Sequence, residues 1–466
     1  MSAPGNSVVA RLEAIAGAEH VLAQAGERAA CAVDGAAPAA VVRPASPEQV
    51  AEVVRLAGAE KLAVVPVGAR TKLGIGHPPQ RYDLALDLTR LDQIAHYDPG
   101  DLTLSVDAGM PLARLAERLA EHGQFVPLAA PWFQRATVGG TIASGVDSPL
   151  RQFYGTARDF VIGAEFVTGA GALGKSGGRV VKNVTGYDLH KLLIGSLGTL
   201  AVLTRVNFRT FPLPALSRGF VGAFATAQGA LELRRRIAAS PLTPVTLEIV
   251  SPELARLFAE NSPGSLDAPL AAPGAWFHGE QWQLCAGFEG SEAVVARYSR
   301  DLTRLAGEAG AAGVQILDEE TQPLVWTRLR ECIPLVLEAS PAAAIFKLSL
   351  LPGQFAAAFE TLRAAAARHA LPCALLARGS GALYFALLPE RNDADALARL
   401  ASAAATVFEI AAAGGGHAAL PWCPAALKRS VSVWGAPRAD FALLPRVKSA
   451  FDPAGILAPG RFAGGI

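Results

Sequence analysis

The sequence predicts an α+β protein, a glycine-rich α/β region followed by an antiparallel sheet backed by helices. Three observations predict it. Helices and strands alternate through about residue 214, around a stretch, 131–208, with 13 glycines in 78 residues. From about residue 216 glycines thin out, and strand–helix–strand order with short loops is used twice. The composition then changes again, from GGGHAALPWCP to the end FDPAGILAPGRFAGGI.

The totals fit a globular chain of two or more domains: 466 residues, 51% hydrophobic and 18% charged. A net charge of +1 without a basic cluster argues against a nucleic-acid surface. No uninterrupted apolar run is long enough for a transmembrane helix, and MSAPGNSVVARLEA lacks a signal-peptide pattern, so a cytoplasmic protein is expected. Five dispersed cysteines without a CxxC or CxxH pair predict free thiols in a reducing compartment and no metal held by this chain.

Residues 1–39 are Ala-rich, carry one helical pattern (Val8 to Ala18) and read as a lead-in. Then Ser46, Pro47 and Gln49 sit where a helix cap, a first helical position and a capping box want them. Val50, Val53, Val54 and Ala57 line one face. LAVVPV is a buried strand, ending in a loop from Gly68 to Gly76. DLALDL and LTLSVDAG read as strands on either side of a turn at Asp98–Asp101. Gly109 stands where a strand turns into a helix, which runs from Pro111 to His122 and stops at Gly123. QFVPL is a strand, DFVIGAEFVTG an alternating strand pair around Gly163, and LAVLTRVNFRTF a strand before the boundary at Pro212 and Pro214.

Beyond the boundary come GFVGAFAT, a helix from Gln228 to Ala239, VTLEIV, WQLCAGFEG and a helix from Ala293 to Gly310. The second round is AIFKLSLLP, a helix from Gln354 to Ala370, ALLARGSGALYFALLP and a helix from Ala394 to Ala411. Residues 262–276, rich in Pro and Gly, form a loop.

Four blocks carry a family resemblance: PVGARTKLGIG after a strand; ATVGGTIASG continuing to YGTARDFVIGAEFVTG; GGRVVKNVTGYDLHKLLIGSLGTLAVLT; and VWGAPRADFALLPRVKSAFDPAGILAPGRF. With them the chain resembles the FAD-binding (PCMH-type) domain of the vanillyl-alcohol-oxidase-type flavoproteins, and within that group the FAD-binding subunits of bacterial glycolate oxidases. The resemblance implies a split FAD-binding domain of two α/β subdomains (40–214), an α+β cap with an antiparallel sheet (215–415), and a C-terminal segment (416–466) returning to the FAD side. No GxGxxG follows the first strand, so a doubly wound nucleotide fold is not expected.

The resemblance also assigns residues. Gly68, Ala69, Arg70, Thr71 and Lys72 form the loop that wraps the diphosphate, where a small-residue turn can aim amides inward and Arg70 and Lys72 can offset charge. Thr71 stands where related flavoproteins carry a flavin-linking histidine, so FAD is expected to be non-covalent. Thr137, Val138, Gly139, Gly140, Ser144 and Gly145 are the wall along flavin and diphosphate. Gly109 belongs to the same set, and Gly198 and Thr199 match the adenosine end. Lys182, Asn183, Tyr187 and Asp188 either frame the flavin pocket or start a helix. Arg461 matches a cation beside the flavin, where it would stabilise an anionic reduced ring.

Substrate chemistry is less determined. Hydroxy-acid oxidation needs a base, an arginine for the carboxylate and, in related dehydrogenases, paired histidine metal ligands. The eight histidines stand singly. His417 is the best candidate for the flavin pocket, with a structural histidine as the alternative; Arg378 and Arg438 are carboxylate candidates. The expected function is that of a FAD subunit in a glycolate-oxidase-like complex oxidising glycolate or lactate, with a sister flavin subunit and an iron–sulfur subunit as partners and peripheral membrane attachment through them. The alternatives are a stand-alone FAD dehydrogenase of a small alcohol or hydroxy acid, and a structural subunit that has lost FAD.

Overall fold

In the computed structural model, which describes residues 6–179, 186–260, 276–277 and 279–466, the first helix forms as its cap dictates. Ser46 accepts from the Gln49 N–H at 3.2 Å, Pro47 opens the helix Pro47–Ala59, and its apolar face is buried. Gln49 Oε1 reaches back to the Ala45 N–H, one residue ahead of the usual capping-box partner.

The strand Val64–Val67 pairs in parallel with Leu84–Asp87, which pairs in parallel with Ala40–Val42. Val21–Leu22 completes this sheet antiparallel to Ala40–Val42. Residues 6–39 are therefore not a lead-in. Leu12, in the helix Asn6–Ala16, is fully buried in the same core as Val50 and Val54. Its apolar face has a place only because the distant helix Pro47–Ala59 supplies one.

A second sheet is wholly antiparallel, in the order Ile94–Asp98, Thr103–Asp107, Ala201–Arg209, Val161–Thr168, Leu173–Gly177. Two expectations change here. Ile94–Asp98 is an additional edge strand, and residues 161–168 are one continuous strand rather than a pair around Gly163. A Cβ at Gly163 would lie 2.7 Å from the Gly178 nitrogen, so this glycine admits a neighbouring backbone instead of making a turn. The helices Leu112–Ala120 and Val138–Ser144 bury Leu115, Leu119, Val138 and Ile142 in this sheet's core.

The end of the chain joins the first sheet. The Val64 N–H donates to Ile456 O and the Ala458 N–H to Val64 O, both at 2.8 Å, covering the sheet's edge strand. These parts make one structural unit, residues 1–147, 156–213 and 436–466.

The other unit, residues 148–155 and 214–435, is built on an eight-stranded sheet. Its order is Gly313–Leu317, Leu216–Phe224, Trp282–Gly290, Thr246–Val250, Cys373–Arg378, Ala382–Leu387, Ala344–Ser349, His417–Trp422, and every pairing is antiparallel. The two expected rounds are two β-α-β-β-α-β halves, each with the same internal strand order read outward from the middle. They meet where Thr246–Val250 pairs with Cys373–Arg378 over three residue pairs. The helices Ala227–Ala238, Glu292–Glu308, Phe355–Arg368 and Ala394–Ala413 bury their apolar residues in one core under the sheet. Ala394–Ala413 is long and apolar enough to cross a membrane, yet Leu400, Ala403, Ala404 and Val407 belong to that core.

The boundary expected near residue 415 falls at 435, because His417–Trp422 is the sheet's last strand. Residues 148–155, expected with the glycine-rich wall, also belong to the second unit; Tyr154 Oη lies 3.3 Å from Glu289 Oε2.

Candidate FAD site

The two sheets of the first unit present a cleft with about 410 Å³ of empty space. From the parallel sheet come Pro66, Val67, Gly68 and Leu88. From the antiparallel side come Ala108, the segment from Thr137 through Gly139 and Gly140 to Ala143, and then Leu197, Gly198, Ala201 and Leu203. Among the described residues the lining holds no charged side chain, and Thr137 contributes its one hydroxyl. Five of the sequence-predicted residues meet here: Gly68, Thr137, Gly139, Gly140 and Gly198. The sequence reading missed Ala143, Leu197 and Ala201; their signal was small size, or a left-handed position beside a glycine.

The glycines divide by task. Thr137 caps the helix Val138–Ser144 by accepting from the Gly140 N–H at 3.3 Å. A Cβ on Gly68 would lie 2.3 Å from the Thr137 hydroxyl oxygen, so Gly68 lets the strand-end loop pass this cap. Gly139 lies against the next strand, where a Cβ would approach Ala108 Cβ to 2.6 Å. Gly109, Val138, Ser144, Gly145 and Thr199 do not line the cleft but support it. Gly109 donates to Leu91 O at 2.7 Å, and a Cβ there would lie 2.1 Å from Leu88 O. Val138 is core, Ser144 bonds Thr141 O at 3.1 Å, and Gly145 ends the helix in a left-handed conformation. Thr199 bonds Ser196 O at 2.7 Å.

The loop after Val67 carries the strongest ligand signal. Ala69, Arg70 and Thr71 are half-buried residues, and their backbone N–H groups have no acceptor among the described residues. Three successive amides left in this state are a ready anion site, since buried backbone donors are nearly always paired. Arg70 has φ 65°, a left-handed conformation uncommon for a side-chain-bearing residue. The loop thus holds an arginine in a conformation that glycine adopts without steric cost.

The cations expected to offset phosphate charge are engaged elsewhere. Lys72 Nζ donates to Pro131 O at 3.2 Å and lies over the Trp132 ring, while Arg70 Nη1 is 3.8 Å from Cys31 Sγ. Arg461 is buried, donating to the carbonyls of Leu73 and Ile75, and burial pushes its pKa down to about 10. It is a part of the loop's scaffold, and it does not line the cleft. Asp188 pairs with Lys191 at 2.8 Å and Tyr187 is exposed; Lys182 and Asn183 lie outside the described residues.

Of the catalytic candidates, Arg378 and His417 lie in the second unit and Arg438 in the first. Arg378 is buried in the second unit with Glu248 at 2.7 Å, its charge already matched. His417 starts the edge strand of the same sheet, and Arg438 is an exposed residue of the first unit, 3.8 Å from Asp440. A separate apolar pocket in the second unit lies between Leu254, Ile333, Val336, Leu376 and Tyr384. Among the described residues no cluster of three or more His, Cys, Asp or Glu side chains could hold a metal ion.

Comparison with known proteins identifies the class. The FAD binding domain family matches residues 38–176, and the FAD linked oxidase C-terminal domain family matches residues 213–462, more than half of the chain. The chain belongs to the FAD-linked oxidases, is an FAD-dependent oxidoreductase, and takes FAD as its cofactor. The glycolate oxidase subunit GlcD of Bacillus subtilis is 24% identical over 426 residues, 91% of this chain and 88% of that protein. The glycolate oxidase subunit GlcE of Escherichia coli is 38% identical over 36% of this chain and 47% of its own length. The D-2-hydroxyglutarate dehydrogenase of Xanthomonas citri is 38% identical over 38% of each chain. Among solved structures, p-cresol methylhydroxylase superposes with a TM-score of 0.77 at 18% identity, covering 98% of this chain and 96% of its own. It shares the split FAD-binding fold.

Proposed function

We propose that this chain is the FAD-binding subunit of a glycolate-oxidase-like complex that oxidises a small 2-hydroxy acid to the 2-oxo acid, with a sister flavin subunit and an iron–sulfur subunit as partners. The observation that carries this reading is the double likeness: to one glycolate oxidase subunit along nearly the whole chain, and more strongly to another across the FAD region. The residues present fit the cofactor. The amides of Ala69, Arg70 and Thr71 are the donors available to its diphosphate, and the small-residue wall 137–143 with Leu197 and Gly198 leaves room for flat rings. When bound, FAD supplies a two-electron acceptor for the carbon bearing the hydroxyl group. The chain's own contribution is to hold that group in a cleft whose described lining carries no charged side chain, and to position it.

Affinity purification of the tagged chain from its own cells tests this reading. A second flavoprotein and an iron–sulfur protein should co-purify, and glycolate or D-lactate should bleach the flavin of the complex anaerobically. The isolated chain should be yellow and should turn over neither acid. Robust turnover by the isolated chain would favour a stand-alone dehydrogenase, a reading supported by the likeness to D-2-hydroxyglutarate dehydrogenase.

A further inference from the structure

We propose that the C-terminal segment, residues 443–461, is a clip that sets both walls of the FAD cleft, with Lys448 and Arg461 as its two positioning residues. The inference rests on the cleft being the FAD site. Neither residue lines the cleft; Lys448 bonds Thr199, the neighbour of the lining residue Gly198, and Arg461 bonds the loop that begins at the lining residue Gly68.

Lys448, on the helix Leu443–Phe451, directs its three ammonium N–H donors to three acceptors. They are Thr199 O at 2.7 Å, Asp452 Oδ2 at 2.7 Å and Leu457 O at 2.8 Å. Asp452 in turn accepts from the N–H groups of Ile456 at 3.2 Å and Leu457 at 2.8 Å. This node therefore fixes the turn before Ala201–Arg209. That turn contains Leu197 at φ 54° and Gly198 at φ 71°, both lining the cleft. A left-handed leucine persists only where its surroundings over-determine it, and Lys448 is one of the groups that do so.

Arg461 serves the opposite wall. Its guanidinium donates to the carbonyls of Leu73 and Ile75, and its own carbonyl accepts from His77 N–H at 3.0 Å. Pro459 O accepts from Gln80 N–H at 2.9 Å. These bonds anchor the far end of the loop whose near end exposes the Ala69, Arg70 and Thr71 amides. An amide row binds an anion well only when its donors are already aimed, because otherwise binding must also order the loop. Two walls that are more than a hundred residues apart in sequence are thus tied by one short terminal segment.

The test uses Lys448→Met, Arg461→Met and a control, Arg446→Met, an exposed position on the same helix. FAD is titrated into the FAD-free full chain by flavin fluorescence, and hydrogen exchange is followed in peptides 68–77 and 195–200. Each clip variant should weaken FAD binding about tenfold while retaining a cooperative melt, and the control should not. Lys448→Met should accelerate exchange chiefly in 195–200, Arg461→Met chiefly in 68–77. Equal loosening of both peptides in both variants, or unchanged FAD affinity and exchange, would overturn the clip. A wild-type chain that binds no FAD would instead overturn the site assignment, while the exchange pattern would still decide the clip. Should Lys448→Met melt without cooperativity, Lys448→Arg is read in its place, since a guanidinium cannot reproduce three donors on one nitrogen.

Discussion

The FAD cleft and the seam of the eight-stranded sheet treat polar groups in opposite ways. At the first, the loop after Val67 leaves the backbone N–H groups of Ala69, Arg70 and Thr71 without an acceptor among the described residues, and none of the described lining residues carries a charge. At the second, a full charge pair, Glu248 and Arg378, is buried and bonded across the seam at 2.7 Å. The pair stands at the seam between the two β-α-β-β-α-β halves, as directly opposed residues in the three-pair register joining them. A one-residue slip there would separate the charges and move apolar residues to the wrong face, so the pair is suited to fixing register. Unmatched donors mark a place kept for a ligand, whereas matched ones mark a place kept for the fold.

The largest effect should come from breaking the matched side. Glu248→Ala leaves a buried guanidinium without its partner and should cost about 3–5 kcal/mol in urea unfolding. Replacing both partners, Glu248→Leu with Arg378→Leu, should recover most of that loss. If the single and double variants are equally unstable, the pair does more than satisfy itself.

Next comes the unmatched side. Gly68→Ala places a Cβ within 2.3 Å of the Thr137 hydroxyl oxygen, so either the loop or the helix cap must shift. FAD affinity should fall about tenfold, on the order of 1.4 kcal/mol, as read by flavin fluorescence. Unchanged affinity would mean that the loop amides are not the cofactor's donors.

A smaller effect belongs to His190. It is buried, with its Nδ1 3.0 Å from the Ser176 hydroxyl, and burial lowers its pKa from 6.5. The folded chain therefore favours the neutral ring. Stability from this site is intact above the unfolded value of 6.5 and is lost as pH falls through the lower folded value. His190→Gln should flatten the acid side of the stability–pH profile measured by thermal melting. The smallest change should be in salt dependence. With no charged side chain lining the cleft among the described residues, FAD affinity should vary by less than about twofold between low and high salt, since screening acts on charges.

Much of this architecture was legible in the residues, and what was not has identifiable causes. The helix Pro47–Ala59 declared itself through its cap and one apolar face, and the strands of the second unit, except Gly313–Leu317 and His417–Trp422, through apolar runs between turns. The edge strand Ile94–Asp98 did not, because IAHYD is half-exposed and never alternates cleanly. The helix Cys332–Ala339 was hidden by Pro334 and by its shortness. In the candidate site, glycine density pointed to this stretch but could not separate Gly139, Gly140 and Gly198, which line the cleft, from Gly109 and Gly145, which pack behind it. Arg461 shows the limit of residue type: the resemblance placed it beside the flavin, whereas its hydrogen bonds to Leu73 and Ile75 depend on tertiary geometry.

The return of the chain's last residues to its first sheet also has a consequence in time. A ribosome completes the edge strand Val64–Val67 nearly four hundred residues before it makes Ile456 and Ala458, which cover that edge. Throughout synthesis the first unit carries an open strand edge, a hazard for pairing with other chains, while the cap is made in between. That edge, whose Pro66 and Val67 line the cleft, is thus covered only once the segment holding Ile456 and Ala458 has been made.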